Sequence, residues 1–422
     1  MRPATGGPAL PPSRSRSRPI LSFPSEAQVS KPLLICFSHL RWNFVFQRPQ
    51  HLLTRAAETY RVLFIEEPMH RPAEAGLPRM ELRDTPDGVQ VATPILPAGL
   101  DEARSDAAQR ALIDDLLEGP QGAEPIAVAW YYTPMALSFS GHLQPQVTVY
   151  DCMDELSAFR GASPGLRLLE RRLMQRSDLV FTGGRSLYEA KRGLHPHAHL
   201  FASGVDAAHF APARNLGDAC QEPADQAGLP RPRLGWFGVV DERMDLELLR
   251  SVAERRPDWT FVMLGPVVKI DPASLPRPAN IHWLGFKSHD ELPQYLASWD
   301  VGFMPFALNE STRYISPTKT PEYLAAGVPV VSTPITDVVR DWGEDGLAAI
   351  ASNADEVIAG AEAAMIQPRS AWLAKADMRL ARISWDSVWA RMKALIGQAA
   401  ARDLADGAQN RAMSSSTAAP HV

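Results

Sequence analysis

The sequence predicts an α/β protein with two doubly wound parallel-sheet domains. Three observations predict it. Short apolar segments alternate with helical stretches along most of the chain, the pattern of strands buried on both faces by crossover helices. A polar stretch rich in Gly and Pro, 211–231, interrupts that alternation, which then restarts. The length of 422 residues exceeds one ordinary α/β domain and suits two.

The first half opens on the apolar run 33–37, followed by a polar loop at 38–49 and a helix over 50–59. Further strands are predicted at 61–65, 89–93, 126–131, 147–150, 179–182 and 199–202, with helices at 105–117, 165–176 and 186–194. After the linker come a strand at 233–237, a helix at 245–255, strands at 260–264 and 281–284, a helix at 291–298 and a strand at 301–305. A helix at 321–326, a strand at 328–332 and a helical region over 354–400 complete the series. The expected domains are a first at 31–210, the linker at 211–231 and a second at 232–400. Tails at 1–30 and 401–422, rich in Ser, Pro, Ala and Arg, are expected to be disordered. Both domains are Rossmann-like, and a cleft is expected where their strand C-termini face each other.

Composition narrows the function. A formal net charge of −5 supplies no global field for nucleic acid. No apolar run reaches the roughly 18 residues of a membrane span, and the arginine-bearing N-terminus lacks the apolar segment of a secretory signal, so a cytoplasmic protein is expected. Cys36 and Cys152 sit at strand ends and read as small core residues; with Cys220 they form no zinc-type spacing, and no metal is expected. The helix 165–176 carries a basic face that suits either solvent or an anionic membrane surface.

The segment 316–331, from Ser316 to Val331, reads as a polar loop, a short helix, a Gly stop and a buried strand. Pro321 suits a first helical turn and Gly327 a left-handed C-terminal cap. Amides near Thr318, with Lys319 beside them, offer positive charge to an anion, and Glu322 can accept hydrogen bonds from paired hydroxyls or simply cap the helix.

This segment resembles the donor motif of the large retaining nucleotide-sugar glycosyltransferase group with the GT-B fold, in which Glu322 matches the glutamate that holds the donor ribose. Gly204-Val205-Asp206 with Phe210, the strand and glycine loop 234–238, Leu264-Gly265-Pro266, the segment 280–285 and the segment 299–306 match in the expected order, so that the likeness covers roughly 31–395. It implies a metal-independent hexosyl transfer with retention, without cofactor, from a nucleotide-diphosphate sugar to a hydroxyl of a glycan or lipid-linked glycan. Gly238, Arg243, Ser316, Thr318, Lys319 and Glu322 are the expected donor contacts, with Arg243 where relatives carry a lysine. The likeness points to the bacterial polysaccharide and teichuronic-acid subgroup, and hence to peripheral contact with the inner membrane face. Two departures stand out: Tyr314 occupies the position of the family's first glutamate, and Val239 that of an arginine.

The first domain is expected to take the acceptor. Its loop 38–51 is dense in polar and aromatic groups: His39 suits acid–base work, a sugar hydroxyl or a structural role, and Arg41, Trp42 and Arg48 suit acceptor contacts, Arg48 alternatively an ion pair. Asp151 and Asp154 suit acceptor hydroxyls or helix capping, and Asp154 also a base. The expected catalytic set is His39, Asp154, Arg243 and Lys319. The alternatives are a nucleotide-sugar epimerase on the same fold and a nucleotide-sugar-binding protein without turnover. A dinucleotide oxidoreductase is disfavoured because no GxGxxG follows either first strand.

Overall fold

A computed structural model of the chain describes residues 31–72, 76–119, 122, 124–215 and 221–416. The tail 1–30, Cys220 and residues 417–422 lie outside them.

The first sheet contains β1 (Leu33–Phe37), β2 (Arg61–Ile65), β3 (Met69–Arg71), β4 (Arg79–Asp84), β5 (Val89–Pro97), β6 (Ile126–Tyr131), β7 (Val147–Cys152), β8 (Leu179–Thr182) and β9 (Ala198–Leu200). The strand order is β3-β5-β2-β1-β6-β7-β8-β9, parallel throughout except for β4, which pairs antiparallel with β5. The exposed β3 and β4 were not expected from the sequence, because their polar residues carry no apolar run. The second sheet is β10 (Arg233–Phe237), β11 (Thr260–Leu264), β12 (Ile281–Gly285), β13 (Val301–Met304), β14 (Val330–Ser332) and β15 (Ala348–Ile350), in the order β12-β11-β10-β13-β14-β15 and parallel. Two parallel sheets in this arrangement are the predicted fold class.

Successive strand residues point to opposite faces, and both faces of the first sheet are covered. Leu34, Cys36, Phe64, Val128 and Trp130 belong to one core. Leu33, Ile35, Phe37, Ala129 and Tyr131 belong to the other, with Cys152. Cys36 and Cys152 are free, buried thiols, as expected of core residues.

The last helix, Trp385–Ser416, corrects the expected boundaries twice. Its backbone remains helical to Ser416, beyond residue 401 where a disordered tail was expected. Its apolar residues Trp385, Val388, Trp389, Met392, Ile396 and Ala399 recur at helical spacing and join the first domain's core, beside Leu52 and Leu53. The chain therefore crosses back to the domain it started from, where the sequence had placed 232–400 in the second. The expected linker also contributes to the second domain: Gln226 is fully buried, its amide donating to the Tyr295 carbonyl and accepting from the Trp299 indole.

Sheet topology fixes where ligands can bind. In the first sheet the order reverses direction between β1 and β6, and in the second between β10 and β13. Crevices at such switch points, beyond the strand C-termini, are where open α/β sheets hold ligands.

Candidate active site

A cleft lies between the domains, at the second sheet's switch point. From the second domain it is lined by the loop after β10, with Gly238, Asp241 and Arg243, and by the crossover from β13 to β14, with Ser316, Thr318, Lys319 and Glu322. The first domain adds Phe46, Met153, Asp154 and Ser203. All six residues expected to hold the donor thus line one cleft, together with Asp154.

The local sequence explains the shape. Gly238 has φ 120°, and a Cβ there would lie 2.6 Å from Lys319 Cε. Gly265 has φ 134°, and a Cβ there would lie 2.0 Å from the Gly238 carbonyl oxygen. Only glycine fits the left-handed backbone and the close approach at these two places. The helix after the donor loop spans Lys319–Ala325, starting two residues earlier than expected, and Gly327 ends it at φ 75° as the sequence implies.

The electrostatics are those of a desolvated cationic floor. The Lys319 ammonium lies 4.6 Å from the Trp236 ring centroid. Burial lowers its pKa, and Arg243 lowers it further, while Glu322 opposes. Burial raises the pKa of Glu322, against the pull of Lys319 and a hydrogen bond from Thr318. The Arg243 guanidinium is held by both oxygens of Asp241, with Nε 3.0 Å and Nη2 2.7 Å away, and faces the Phe159 ring at 5.4 Å. Burial also raises the pKa of Asp154, opposed first by Arg243.

His39 stands apart from the expected catalytic set. It is not among the residues lining the cleft. Its Nδ1 is buried without a hydrogen-bond partner, and its pKa is pulled down to about 4 by burial and then by Lys269. Lys269 is a residue that sequence reasoning missed. It belongs to the second domain, adopts φ 61°, and places its ammonium 5.2 Å from the Phe159 ring centroid. It also acts electrostatically on Glu67 and Asp154 of the first domain. Phe159 is thus flanked by the cations of Arg243 and Lys269, a juxtaposition that no local spacing reveals.

The expected acceptor contacts need correction. Arg48 and Asp151 form a buried ion pair, 2% and 0% exposed, with Nη2 to Oδ1 at 2.8 Å, and Arg48 Nη1 donates to the Phe201 carbonyl. Trp42 is buried, packs edge-on against Phe64 at 5.0 Å and donates its backbone N–H to Glu66. Arg41 is held by Glu66 and the Pro68 carbonyl. Trp42, Arg48 and Asp151 are desolvated and bonded inside the fold, as scaffold groups are, although Arg48 also borders the interdomain cleft, and Arg41 stays partly exposed. Tyr314 packs against the first domain's core, so the residue replacing the family's first glutamate serves a contact between the domains.

A second cavity opens at the first sheet's switch point, lined by Ser38, Glu67, Asp106, Gln109, Thr133 and Ser138 among others. Burial raises the pKa of Glu67 and of Asp106.

Two contacts join the domains beside the cleft. Asp337 of the second domain accepts hydrogen bonds from the Ser186 hydroxyl and, at 3.0 Å, from the Ser186 N–H, in the first turn of the helix Arg185–Lys191. Arg340 pairs with Glu189 at 2.8 Å.

Comparison with known proteins bears on the residues of this cleft. Residues 231–366, which carry the glycine loop and the Glu322 helix, match the family of glycosyl transferases group 1. That match falls within the second domain. The chain is 28% identical over 240 residues to TuaH of Bacillus subtilis (strain 168), a protein assigned as a teichuronic acid biosynthesis glycosyltransferase. That likeness covers 53% of this chain and 59% of TuaH. Solved structures extend the likeness to both domains. Sucrose-phosphate synthase from Thermosynechococcus elongatus superposes with a TM-score of 0.64 at 14% identity, covering 87% of this chain and 99% of that one. The α,α-trehalose-phosphate synthase (UDP-forming) of Burkholderia vietnamiensis gives 0.64 at 14% identity, covering 87% and 96%. The two domains together have the GT-B fold of these structures.

Proposed function

We propose that the chain is a glycosyltransferase that moves a sugar, with retention of configuration, from a nucleotide-diphosphate sugar to a hydroxyl acceptor. The observation that carries this reading is the convergence of Gly238, Arg243, Thr318, Lys319 and Glu322 on one interdomain cleft. The group 1 match over the same residues and the named transferases of the same fold support it.

In this reading Glu322 accepts hydrogen bonds from the donor ribose, and the Gly238 loop lets the diphosphate approach the backbone. The hard step is departure of the nucleotide, because negative charge accumulates on the diphosphate as the glycosidic bond breaks. Lys319 and Arg243 stabilise that charge most when it is largest, which lowers the barrier more than it tightens donor binding. Arg243 exchanges its Asp241 partner for phosphate oxygens, and its fork suits two parallel hydrogen bonds. Asp154, across the cleft, is placed to bond the acceptor hydroxyl. Burial between the domains excludes water and so limits donor hydrolysis. No metal and no cofactor takes part.

The acceptor's reacting hydroxyl enters the cleft beside Asp154, and the rest of the acceptor lies toward the cavity at the first sheet's switch point. The lining of that cavity includes Glu66, Glu67, Glu102, Asp106 and His70. That surface favours a neutral or amino sugar over a phosphate-bearing one. A lipid-linked acceptor would reach it from the membrane side, and the exposed Arg167, Arg171 and Arg172 offer charge to an anionic surface. No helix among the described residues is long and apolar enough to cross a membrane.

The test is a panel of nucleotide sugars read by thermal denaturation, since a ligand that binds only the native state raises Tm. At a hundred times its Kd the right donor stabilises by about 2.7 kcal/mol. A panel without any shift, including UDP-, GDP- and ADP-sugars, contradicts the reading.

A further inference from the structure

We infer that His51, His289 and Glu322 form a site for a Zn2+-type divalent transition-metal ion, which ties the two domains together and competes with a nucleotide for Glu322. The competition rests on the donor reading above; the metal site itself does not.

The three residues come from separate places in the fold. His51 lies on the helix Arg48–Ala56 of the first domain, His289 in the turn His289–Glu291 after β12, and Glu322 on the helix Lys319–Ala325. Each offers one ligand atom, and these atoms lie within 4.8 Å of one another. Ligand atoms around a tetrahedral ion, each about 2.0–2.2 Å from it, sit roughly 3.4 Å apart. The trio therefore needs a contraction of about 1.4 Å at most. Because His51 is on one domain and the other two are on its neighbour, a slight tightening of the interdomain contact shortens the distances from His51, and rotation of the Glu322 carboxylate supplies the rest.

The imidazoles are held rather than free to turn away. His51 stacks on Trp385, with centroids 4.6 Å apart and an interplanar angle of 13°. Phe46 stacks on His289 at 4.7 Å and meets His51 edge-on at 4.6 Å. His209 stacks on the other side of His289 at 4.0 Å, and its Nε2 lies 3.0 Å from the His289 carbonyl oxygen. Ligands fixed by their surroundings lose little freedom on binding an ion. His289 Nε2, moreover, is buried and makes no hydrogen bond among the described residues. A buried ring nitrogen without a partner is uncommon in a folded protein, and an ion supplies the partner.

The donor set selects the ion. Two imidazoles and one carboxylate suit Zn2+ and its neighbours, whereas Mg2+ and Ca2+ prefer oxygen throughout. Three protein ligands leave a fourth position for water. His209, His289 and Asp290 form a second such group. It shares His289, but Asp290 is exposed and His209 Nε2 already faces a carbonyl, so the trio with buried His51 and Glu322 is the better site. Lys319 works against the ion, since it attracts the same carboxylate. A coordinated Glu322 cannot receive ribose hydroxyls, so the ion acts as an inhibitor of donor binding.

Zinc chloride titrated into the full chain, stripped with a chelator beforehand, tests this by calorimetry and by thermal denaturation. One equivalent should bind, raise Tm and be released by EDTA. His51→Asn and His289→Asn should each weaken binding at least tenfold, while His197→Asn should not change it. Co2+ in place of Zn2+ should give the visible spectrum of a tetrahedral ion, which decides the matter on the unaltered chain if His51→Asn does not fold. Absence of stoichiometric binding, or binding that both variants leave intact, overturns the site. A nucleotide sugar that stabilises the protein should bind more weakly once zinc is present; undiminished binding overturns the competition. Nucleotide stabilisation without zinc binding refutes the metal site alone, and zinc binding without any nucleotide response refutes the donor reading alone.

Discussion

Glu322 and Lys319 sit three residues apart on one short helix, yet they should fail differently. Glu322→Ala removes a contact made equally in ground and transition states, so donor KM should rise with little change in kcat. Lys319→Ala removes charge that matters most as the nucleotide leaves, and kcat should fall about 10²–10³-fold. Steady-state kinetics with varied donor separates the two, and unchanged constants in both variants would remove this cleft from the reaction. Arg48 calls for the opposite kind of test. Arg48→Ala leaves the Asp151 carboxylate buried without its partner and should cost about 3–5 kcal/mol of stability in urea denaturation. The residues of the second domain that line the cleft were legible in the sequence because loop, helix, Gly stop and strand follow one another locally. The partner of Arg48 was not legible, because a dense polar loop looks the same whether its arginines face a ligand or a buried aspartate 103 positions away.

Among the elements, the buried strands were the easiest to read, since short runs dominated by apolar residues and bounded by polar ones admit few other structures. The edge strands β3 and β4 lack that signal, and their pairing is supplied by β5. The last helix shows a different limit. Its apolar stripe was visible, but periodicity says that a face is buried and not which domain buries it. The answer is the first domain, where Trp389 lies 6.3 Å from Trp130 and 6.5 Å from Tyr60, centroid to centroid. Trp389→Ala should therefore cost about 3–5 kcal/mol. Hydrogen exchange should show the loss in β6 and β7 of the first sheet rather than in β10 and β11; protection lost only in the second sheet would contradict this packing.

For the molecule as a whole, closure and pH are the levers. Asp337 caps a first-domain helix from the second domain, so Asp337→Ala should loosen the closed state. Small-angle scattering should then show a larger radius of gyration, and an unchanged radius would assign closure to other contacts. Buried histidines set a pH dependence whose sign follows from their lowered pKa. His39 and His289 are held down to about 4, against an ordinary value of 6.5, and His51 is also lowered. As pH falls from 6.5 towards 4 the unfolded chain takes up protons that the folded chain refuses, and stability is lost across that window. At about 1.4 kcal/mol per pH unit, His39 contributes roughly 3 kcal/mol at most. The buried carboxylates Asp154 and Glu322, with raised pKa, act in the other direction. The profile of His39→Asn should accordingly be shallower than that of the unaltered chain between pH 6.5 and 4, and parallel profiles would contradict the assignment. The catalytic claim is tested most directly by following nucleoside diphosphate release from the stabilising nucleotide sugar, with and without a neutral or amino-sugar acceptor. Release that depends on the acceptor and falls in Lys319→Ala is the predicted result. Donor conversion without an acceptor, or tight donor binding with no release under any acceptor, would contradict it.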